Sequence, residues 1–167
     1  LSRYNSALQF IPISQITGTG DGNQFYSLFR DSKGFYWFGG ANGLIRFTDP
    51  AGERHDAIWY RMGDKTYPLS HNRIRHIYED KEQQLWIATD GSINRYDYAT
   101  RQFIHYNIVD NTGTYNTNWT YYIFEDTAGQ LWISTCLGGI FVVDKRKLMQ
   151  STSGQYIAEQ NYSVHNG

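Results

Sequence analysis

Seven side chains in this sequence supply hydrogen-bond donors or flat aromatic faces and lie in three recurring stretches of the chain. Guanidinium, imidazole and amide groups donate hydrogen bonds to hydroxyls and carboxylates, while indole and phenol rings can stack on a ligand. Such a set could bind a sugar or a uronate without covalent chemistry. The candidate ligand-binding residues are Gln24, His71, Arg73, Arg75, His76, Tyr115 and Trp119.

Three of these candidates occupy one repeated position, directly after an asparagine. Their side chains differ although their places in the repeat are the same. The pairs are Asn23-Gln24, Asn72-Arg73 and Asn118-Trp119. When a repeated position carries a different residue in each copy, the fold does not require one particular side chain there, and the position could contact a ligand. The repeated elements of the chain determine where this position lies.

The chain is built from tandem copies of one unit. Asp31, Asp80 and Asp126 follow one another after 49 and 46 residues, and each is followed six residues later by a tryptophan. An apolar run precedes each aspartate, and a second apolar run follows a glycine turn after each tryptophan. Self-similarity at this period indicates a propeller or a solenoid.

Each unit contains four short segments rich in β-branched and aromatic residues, bounded by Gly, Asp, Asn or Ser. In the third unit they include 120–124, 131–133, 140–143 and, as the last strand, Tyr156-Ile157. This pattern predicts an all-β fold of β-propeller blades, each a sheet of four antiparallel strands. Asp31 and Gly34 fit the ends of a type I turn, and we expect Gln83 to be tolerated at the glycine position.

The copies predict three whole blades at 21–66, 67–113 and 114–167, preceded at 1–20 by the outer half of another blade. Closed propellers have about four to eight blades. We therefore expect about three and a half blades of a larger ring. The shared Asp, Asn and Trp residues should be structural, with the indoles between blades, whereas Gln24, Arg73 and Trp119 should lie near the mouth of the central channel. Each candidate could instead serve packing at the rim or between blades.

Catalysis finds little support in the sequence. The Asp box of sialidases has its Gly two and its Trp five residues after the Asp, whereas here the distances are three and six. Glycoside hydrolysis uses paired carboxylates, but Glu79-Asp80 and Glu125-Asp126 recur in register as turn residues. Nucleophile-elbow and zinc motifs do not occur. We expect no catalytic residue, no metal and no cofactor in this segment.

Composition limits the classes of partner. The 167 residues carry a net charge of −1, which argues against a nucleic-acid binder. No apolar stretch approaches the roughly 18 residues needed to span a membrane. The single cysteine, Cys136, cannot form an intramolecular disulfide and is expected to be a small buried side chain.

The repeats closely resemble the two-component regulator propeller family. The residues that carry the resemblance are Leu69-Ser70-His71-Asn72, Ile77-Tyr78-Glu79-Asp80 and Leu85-Trp86-Ile87-Ala88-Thr89, with Glu125-Asp126 through Thr135 in the third copy. The first copy departs from the pattern at 38–43. The resemblance covers nearly the whole chain.

The resemblance implies the periplasmic sensor region of an inner-membrane hybrid histidine kinase of the Bacteroides type, in which seven-bladed rings sense oligosaccharides or other small ligands. The kinase itself would lie outside these residues. Further blades of the same polypeptide should complete the ring, and we expect the intact sensor to form a homodimer. Two alternatives stay open at this point: a glycan-processing propeller enzyme, such as a glycosidase or lyase, and a purely structural dimerisation propeller.

Overall fold

The computed structural model describes residues 24–48, 57–66, 68–151 and 155–163. Strands dominate these residues, together with one short helix. The strands are β1 (Phe25–Arg30), β2 (Tyr36–Gly40), β3 (Gly43–Phe47), β4 (Ile58–Tyr60), β5 (Ile74–Glu79), β6 (Leu85–Thr89), β7 (Ser92–Asp97), β8 (Gln102–Tyr106), β9 (Ile108–Val109), β10 (Thr120–Glu125), β11 (Gln130–Thr135), β12 (Ile140–Asp144), β13 (Tyr156–Ile157) and β14 (Gln160–Tyr162), and the helix is α1 (Lys145–Gln150).

The strands form three antiparallel four-stranded sheets, which confirms the predicted all-β blades. Their orders are β1-β2-β3-β4, β5-β6-β7-β8 and β10-β11-β12-β14. One sheet lies within each of the predicted blade ranges. The half-blade expected at 1–20 lies outside the described residues.

The fourth strand of the third blade differs from the prediction. Tyr156-Ile157 was expected to close this blade, but β13 pairs in parallel with β9 of the second blade, and β14 closes the sheet instead. Helix α1 explains the difference, because it lengthens the connection after β12 enough for the chain to cross to the neighbouring blade before returning. Asp144 caps this helix by accepting a hydrogen bond from the Lys147 amide.

The innermost strands β1, β5 and β10 lie side by side, and each begins with a β-bulge. A bulge leaves one residue without a partner and re-aims its side chain. The three bulge residues are Tyr26, Arg75 and Tyr121. The loops before the inner strands and the turns between second and third strands share one end of the sheets, here named the upper face. The turns between first and second strands lie at the opposite end, the lower face.

The repeated aspartate and tryptophan form one hydrogen-bonded unit on the lower face. Asp31 Oδ1 accepts hydrogen bonds from the amides of Lys33 and Phe35 at 3.0 and 2.8 Å, and Oδ2 accepts from Trp37 Nε1 at 2.7 Å. The same indole bond measures 2.9 Å in Asp80–Trp86 and in Asp126–Trp132. The six-residue spacing therefore exists because the carboxylate closes the turn and orients the ring.

As predicted, the tryptophans of the first two blades pack against the next blade along the chain. Trp37 lies 5.0 Å, between ring centroids, from Tyr96 of the second blade. Trp86 is fully buried in a cluster with Ile123 and Ile133 of the third blade. Trp132 is only partly buried and stacks on Phe124 and Tyr162 of its own sheet.

The turn on the lower face requires a left-handed residue at its fourth position. Gly34 and Gly129 have φ values of +87° and +80° there. Gln83 adopts +61° at the same position. The expectation that a type I turn tolerates this residue was incomplete, because the position costs a side-chain-bearing residue about 1 kcal/mol.

A glutamate at the end of the inner strand in the second and third blades also ties neighbouring blades together. The Glu79 carboxylate accepts hydrogen bonds from the amide and hydroxyl of Ser32 in the first blade, the shortest at 2.8 Å. Glu125 accepts in the same way from the Lys81 amide at 3.0 Å. Arg30 holds the equivalent position in the first blade. The acids that recur in register are thus structural.

Candidate functional site

The three residues predicted at the channel mouth do occupy equivalent backbone positions. The carbonyls of Gln24, Arg73 and Trp119 each accept a hydrogen bond from the turn between second and third strands. The donors are the amides of Ala41, Asp90 and Cys136, at 2.9, 3.2 and 3.0 Å. All three side chains are exposed on the upper face.

Asp90 organises both arginines of the second blade. Arg75 Nε and a terminal guanidinium nitrogen lie 2.6 and 3.2 Å from its two carboxylate oxygens, and Arg73 Nε lies 3.7 Å away. The hydrogen bond to Asp90 raises the pKa of Arg75 above its ordinary value. The Arg75 guanidinium also lies 5.0 Å from the ring centroid of Tyr121. The carbonyl of the same Asp90 accepts the Trp119 amide at 3.1 Å, which links the second and third blades.

The two candidate histidines are engaged within the fold. His71 Nδ1 accepts a hydrogen bond from the Arg73 amide at 3.0 Å, so this ring shapes its own loop. His76 stacks on Tyr122 of the third blade at 3.9 Å and accepts from the Ile123 amide at 3.3 Å. Burial lowers the pKa of His76 to about 4. The structure therefore places His76 in the interface between blades.

Trp119 combines exposure with an unfavourable backbone. Its φ is +54°, in the left-handed region, while 49% of the residue is accessible to solvent. Arg73 does not share this conformation. Backbone strain of this kind persists only where surrounding contacts determine it, and it concentrates at functional sites. Here the bonds to Asp90 and Cys136 fix the backbone on both sides.

A cavity of about 410 Å³ opens beside Trp119 on the upper face. This volume falls in the range of roughly 300–1,000 Å³ that ligand sites occupy. Its wall comes from the loop before β10 and from the turn between β11 and β12. The lining residues are Thr114, Tyr115, Asn116, Asn118, Trp119, Leu137 and Gly138.

Internal hydrogen bonds hold the loop that forms this cavity. Asp110, which is buried, accepts from the amide of Tyr115 at 2.9 Å and from the Thr112 hydroxyl. These bonds, the hydroxyl first, lower the pKa of Asp110. Thr117 is also buried and its hydroxyl lies 3.0 Å from that of Ser92 in the second blade. The wall is therefore preorganised rather than shaped by a ligand.

The structure brings some of the seven predicted residues together and separates others. Tyr115 and Trp119 share the cavity, and Arg73 and Arg75 share Asp90. Gln24 bonds to the Tyr26 hydroxyl on the first blade. A binding role for all seven stays a prediction.

Sequence reasoning missed several residues of this region. Asp90 occupies the position that Ala41 and Cys136 occupy in the other copies. A carboxylate at a position where the other copies have none was the signal in the sequence that could have identified Asp90. Asn116 and Leu137 gave no signal, because neither residue type recurs at its position in the other copies. Asn118 is the asparagine that all three copies share, and the sequence indicated only a structural role for it. Cys136 is exposed beside Tyr121, so the expected buried role for it was wrong.

The lower face also has cavities, and in one of them the buried cation Lys145 is already paired. It measures about 470 Å³ and is lined in part by Lys145, Glu125 and Glu82. Lys145 Nζ lies 2.8 Å from Glu125, 3.1 Å from Asp80 and 3.4 Å from Glu82. These groups stabilise the blade interface. This cavity is therefore a weaker candidate site than the cavity beside Trp119.

Neither a metal site nor a membrane helix is found in the part of the chain that the structure describes. No group of three or more His, Cys, Asp or Glu side chains could hold an ion there. No helix among the same residues is long and apolar enough to cross a membrane.

The sequence profile of the two-component regulator propeller family matches residues 19–42 and 68–91. These segments contain the first two Asn positions and part of two blades. The chain carries two-component regulator propeller repeats. No curated protein sequence matches the chain.

Solved structures extend the comparison. The chain is 99% identical to part of the extracellular domain of BT4673 from B. thetaiotaomicron, described as a hybrid two-component system, with a TM-score of 0.91. A second structure of that domain, described as a one-component system, gives 97% identity and a TM-score of 0.90. Each match covers 99% of this chain and 22% of the matched chain.

A more distant match is the extracellular domain of the hybrid two-component system BT3049 from the same organism. It is 27% identical, with a TM-score of 0.65, and the match covers 84% of this chain and 19% of that one. The repeats in our chain therefore form a propeller region of an extracellular domain, and the predicted periplasmic location is confirmed. The chain spans about a fifth of the domains that it matches.

Proposed function

We propose that this chain forms part of the ligand-binding face of an extracytoplasmic sensor, and that the ligand is an oligosaccharide bound on the upper face. One observation carries the proposal. Trp119 presents an indole to solvent from a left-handed backbone, beside a cavity of ligand size. A large, rigid aromatic face suits the apolar side of a sugar ring.

The surrounding groups suit the polar side of the same ligand. Asn116 and Asn118 carry amides that can both donate and accept, and Thr114 adds a hydroxyl at the cavity. Arg73 is exposed on the neighbouring blade and retains donors beyond its contact with Asp90. Sugar hydroxyls need such mixed partners.

The transmission of a signal follows from the proposed sensor role. Ligand contacts at Trp119 would act on Asp90, whose carbonyl and carboxylate join the third blade to the second. The kinase would lie in another part of the polypeptide, and the segment itself would have no catalytic role. The homodimer expected for the intact sensor stays a prediction.

Calorimetric titration of the complete extracellular domain with a panel of oligosaccharides tests the proposal. Trp119→Gly removes the indole while it relieves the left-handed backbone, so the fold should survive. We expect at least a tenfold loss of affinity in this variant and a smaller loss in Arg73→Ala. Arg146→Ala, an exposed change on the lower face, is the matched control and should bind like the wild type.

Two results would contradict this function. Unchanged affinity in Trp119→Gly would show that the cavity is not part of the binding site. Release of reducing ends during incubation with polysaccharides would instead support the enzyme alternative. If no saccharide binds or shifts the melting temperature, the purely structural propeller becomes the better account.

A further inference from the structure

We infer that the cavity beside Trp119 accepts an uncharged sugar ring, so that the ligand is a neutral rather than an acidic oligosaccharide. This inference rests on the proposed function and adds the charge class of the ligand. The sequence alone allowed either a sugar or a uronate as the ligand, and this inference selects between them.

The first argument is the lining of the cavity. Its walls are amide, hydroxyl, aromatic and aliphatic, and no Lys, Arg, Asp or Glu is among them. A carboxylate placed there would lose hydration without gaining a cation, which is strongly unfavourable. A hydroxyl exchanges hydrogen bonds with water for bonds with Asn116 and Asn118 at much lower cost.

The second argument concerns the arginines nearby. Arg75 directs two nitrogens at Asp90, at 2.6 and 3.2 Å, in the fork geometry that a uronate would need for itself. Asp90 is mostly buried, with a side chain 9% accessible, and it would repel a second carboxylate. Arg73 shares the same acid at 3.7 Å. Arg75, the arginine in fork geometry on the upper face, is therefore engaged before any ligand arrives.

A cavity suited to an acidic group exists elsewhere and makes the contrast testable. It measures about 530 Å³, lies between the first two blades on the lower face, and is lined by Lys33, Arg46 and Arg101. No ion pair involves these three cations among the described residues. Glu82 occupies the equivalent position in the second copy. Lys33→Glu therefore introduces a residue that the same turn already contains in that copy.

The test compares neutral and uronic-acid oligosaccharides of equal length and linkage on the complete extracellular domain, by calorimetry at one salt concentration. We expect the neutral member of at least one pair to bind ten times more tightly or better. Leu137→Arg adds a cation at the cavity rim, where the leucine is 75% exposed. This variant should lower the ratio of neutral to uronic-acid affinity at least threefold. Leu137→Gln is the uncharged control and should leave the ratio unchanged.

The outcomes separate this inference from the proposed function. Uronic acids that bind as tightly as neutral partners, with the affinity lost in Trp119→Gly, would overturn the inference and leave the function intact. Uronic-acid binding that Lys33→Glu abolishes and Trp119→Gly does not would move recognition to the lower face and overturn both. Binding of neither class would also overturn both.

Discussion

The Tyr98 hydroxyl donates a hydrogen bond of 2.7 Å to Oδ2 of Asp31, across the boundary between the second and first blades. Lys145 makes the equivalent contact to Asp80 from the third blade, at 3.1 Å. Both donors directly follow the aspartate that ends the third strand of their sheet, Asp97 or Asp144. The residue at this position therefore donates a hydrogen bond to the turn aspartate of the preceding blade. The donor is a tyrosine hydroxyl in the second blade and a lysine ammonium in the third.

Tyr98→Phe should lower the free energy of unfolding by about 1–2 kcal/mol, because Oδ2 of the buried Asp31 would lose one of its hydrogen-bond donors. Urea denaturation of the extracellular domain measures the change. Tyr26→Phe removes an exposed hydroxyl and should cost less than about 0.5 kcal/mol. Equal costs for the two changes would show that the contact across the blades does not stabilise the fold.

Lys145→Met should be more damaging, with a loss of about 3–5 kcal/mol, because it leaves Asp80 and Glu125 buried without their cation. The neighbouring change Arg146→Ala, at an exposed residue, serves as the control in the same denaturation series. A loss below about 1 kcal/mol for Lys145→Met would mean that water replaces the ammonium effectively.

The same ion pair predicts sensitivity to alkali. Burial lowers the pKa of Lys145, but hydrogen bonds to Glu125 and Asp80 outweigh it and hold the pKa above its ordinary value. The folded state therefore retains this proton longer than the unfolded chain, and the stabilisation is lost as pH rises through the folded pKa. Thermal melts above pH 10 should show a steeper decline for the wild type than for Lys145→Met.

Gln83→Gly should stabilise the second blade by up to about 1 kcal/mol, because the turn holds this residue at a φ of +61°. Gly129→Gln is the reciprocal change in the third blade and should destabilise by a similar amount. Differential scanning calorimetry gives both shifts in melting temperature. The strain argument fails if both substitutions move the melting temperature in the same direction.

His76 should make the domain sensitive to mild acid. Its pKa is lowered to about 4, whereas an unfolded histidine titrates near 6.5, so the folded state binds fewer protons between these values. Stability is therefore complete above about pH 6.5 and falls as pH drops toward 4. His76→Gln keeps an acceptor for the Ile123 amide without titrating, and its melting temperature should fall less over this range. Parallel pH profiles would exclude His76 as the cause.

The sequence predicted the parts of the fold that repeat. Asp31 and Trp37 recur in every copy because each blade closes the same turn with the same indole bond, so their structural role could be recognised. The contacts that join blades were harder to predict. Tyr98 and Lys145 perform one task with unrelated side chains, so comparison of the copies hides their equivalence. The crossing of β13 to β9 depends on α1, which has no counterpart between β7 and β8 of the second copy.

The candidate site shows the same limit. The repeat placed Trp119 and Arg73 on the upper face, but it could not reveal that Asp90 neutralises part of the arginine charge. It also could not place Asn118 and Leu137 around one cavity, because two loops of unrelated sequence meet there. His76 resembled a free donor in the sequence, and only its stacking on Tyr122 identifies it as an interface residue.

The carboxylate and indole pairs lie at one end of the sheets, and Trp119 with its cavity lies at the other. Substitutions in the loops of the upper face can therefore alter the cavity while the hydrogen bonds that orient Trp37, Trp86 and Trp132 stay intact.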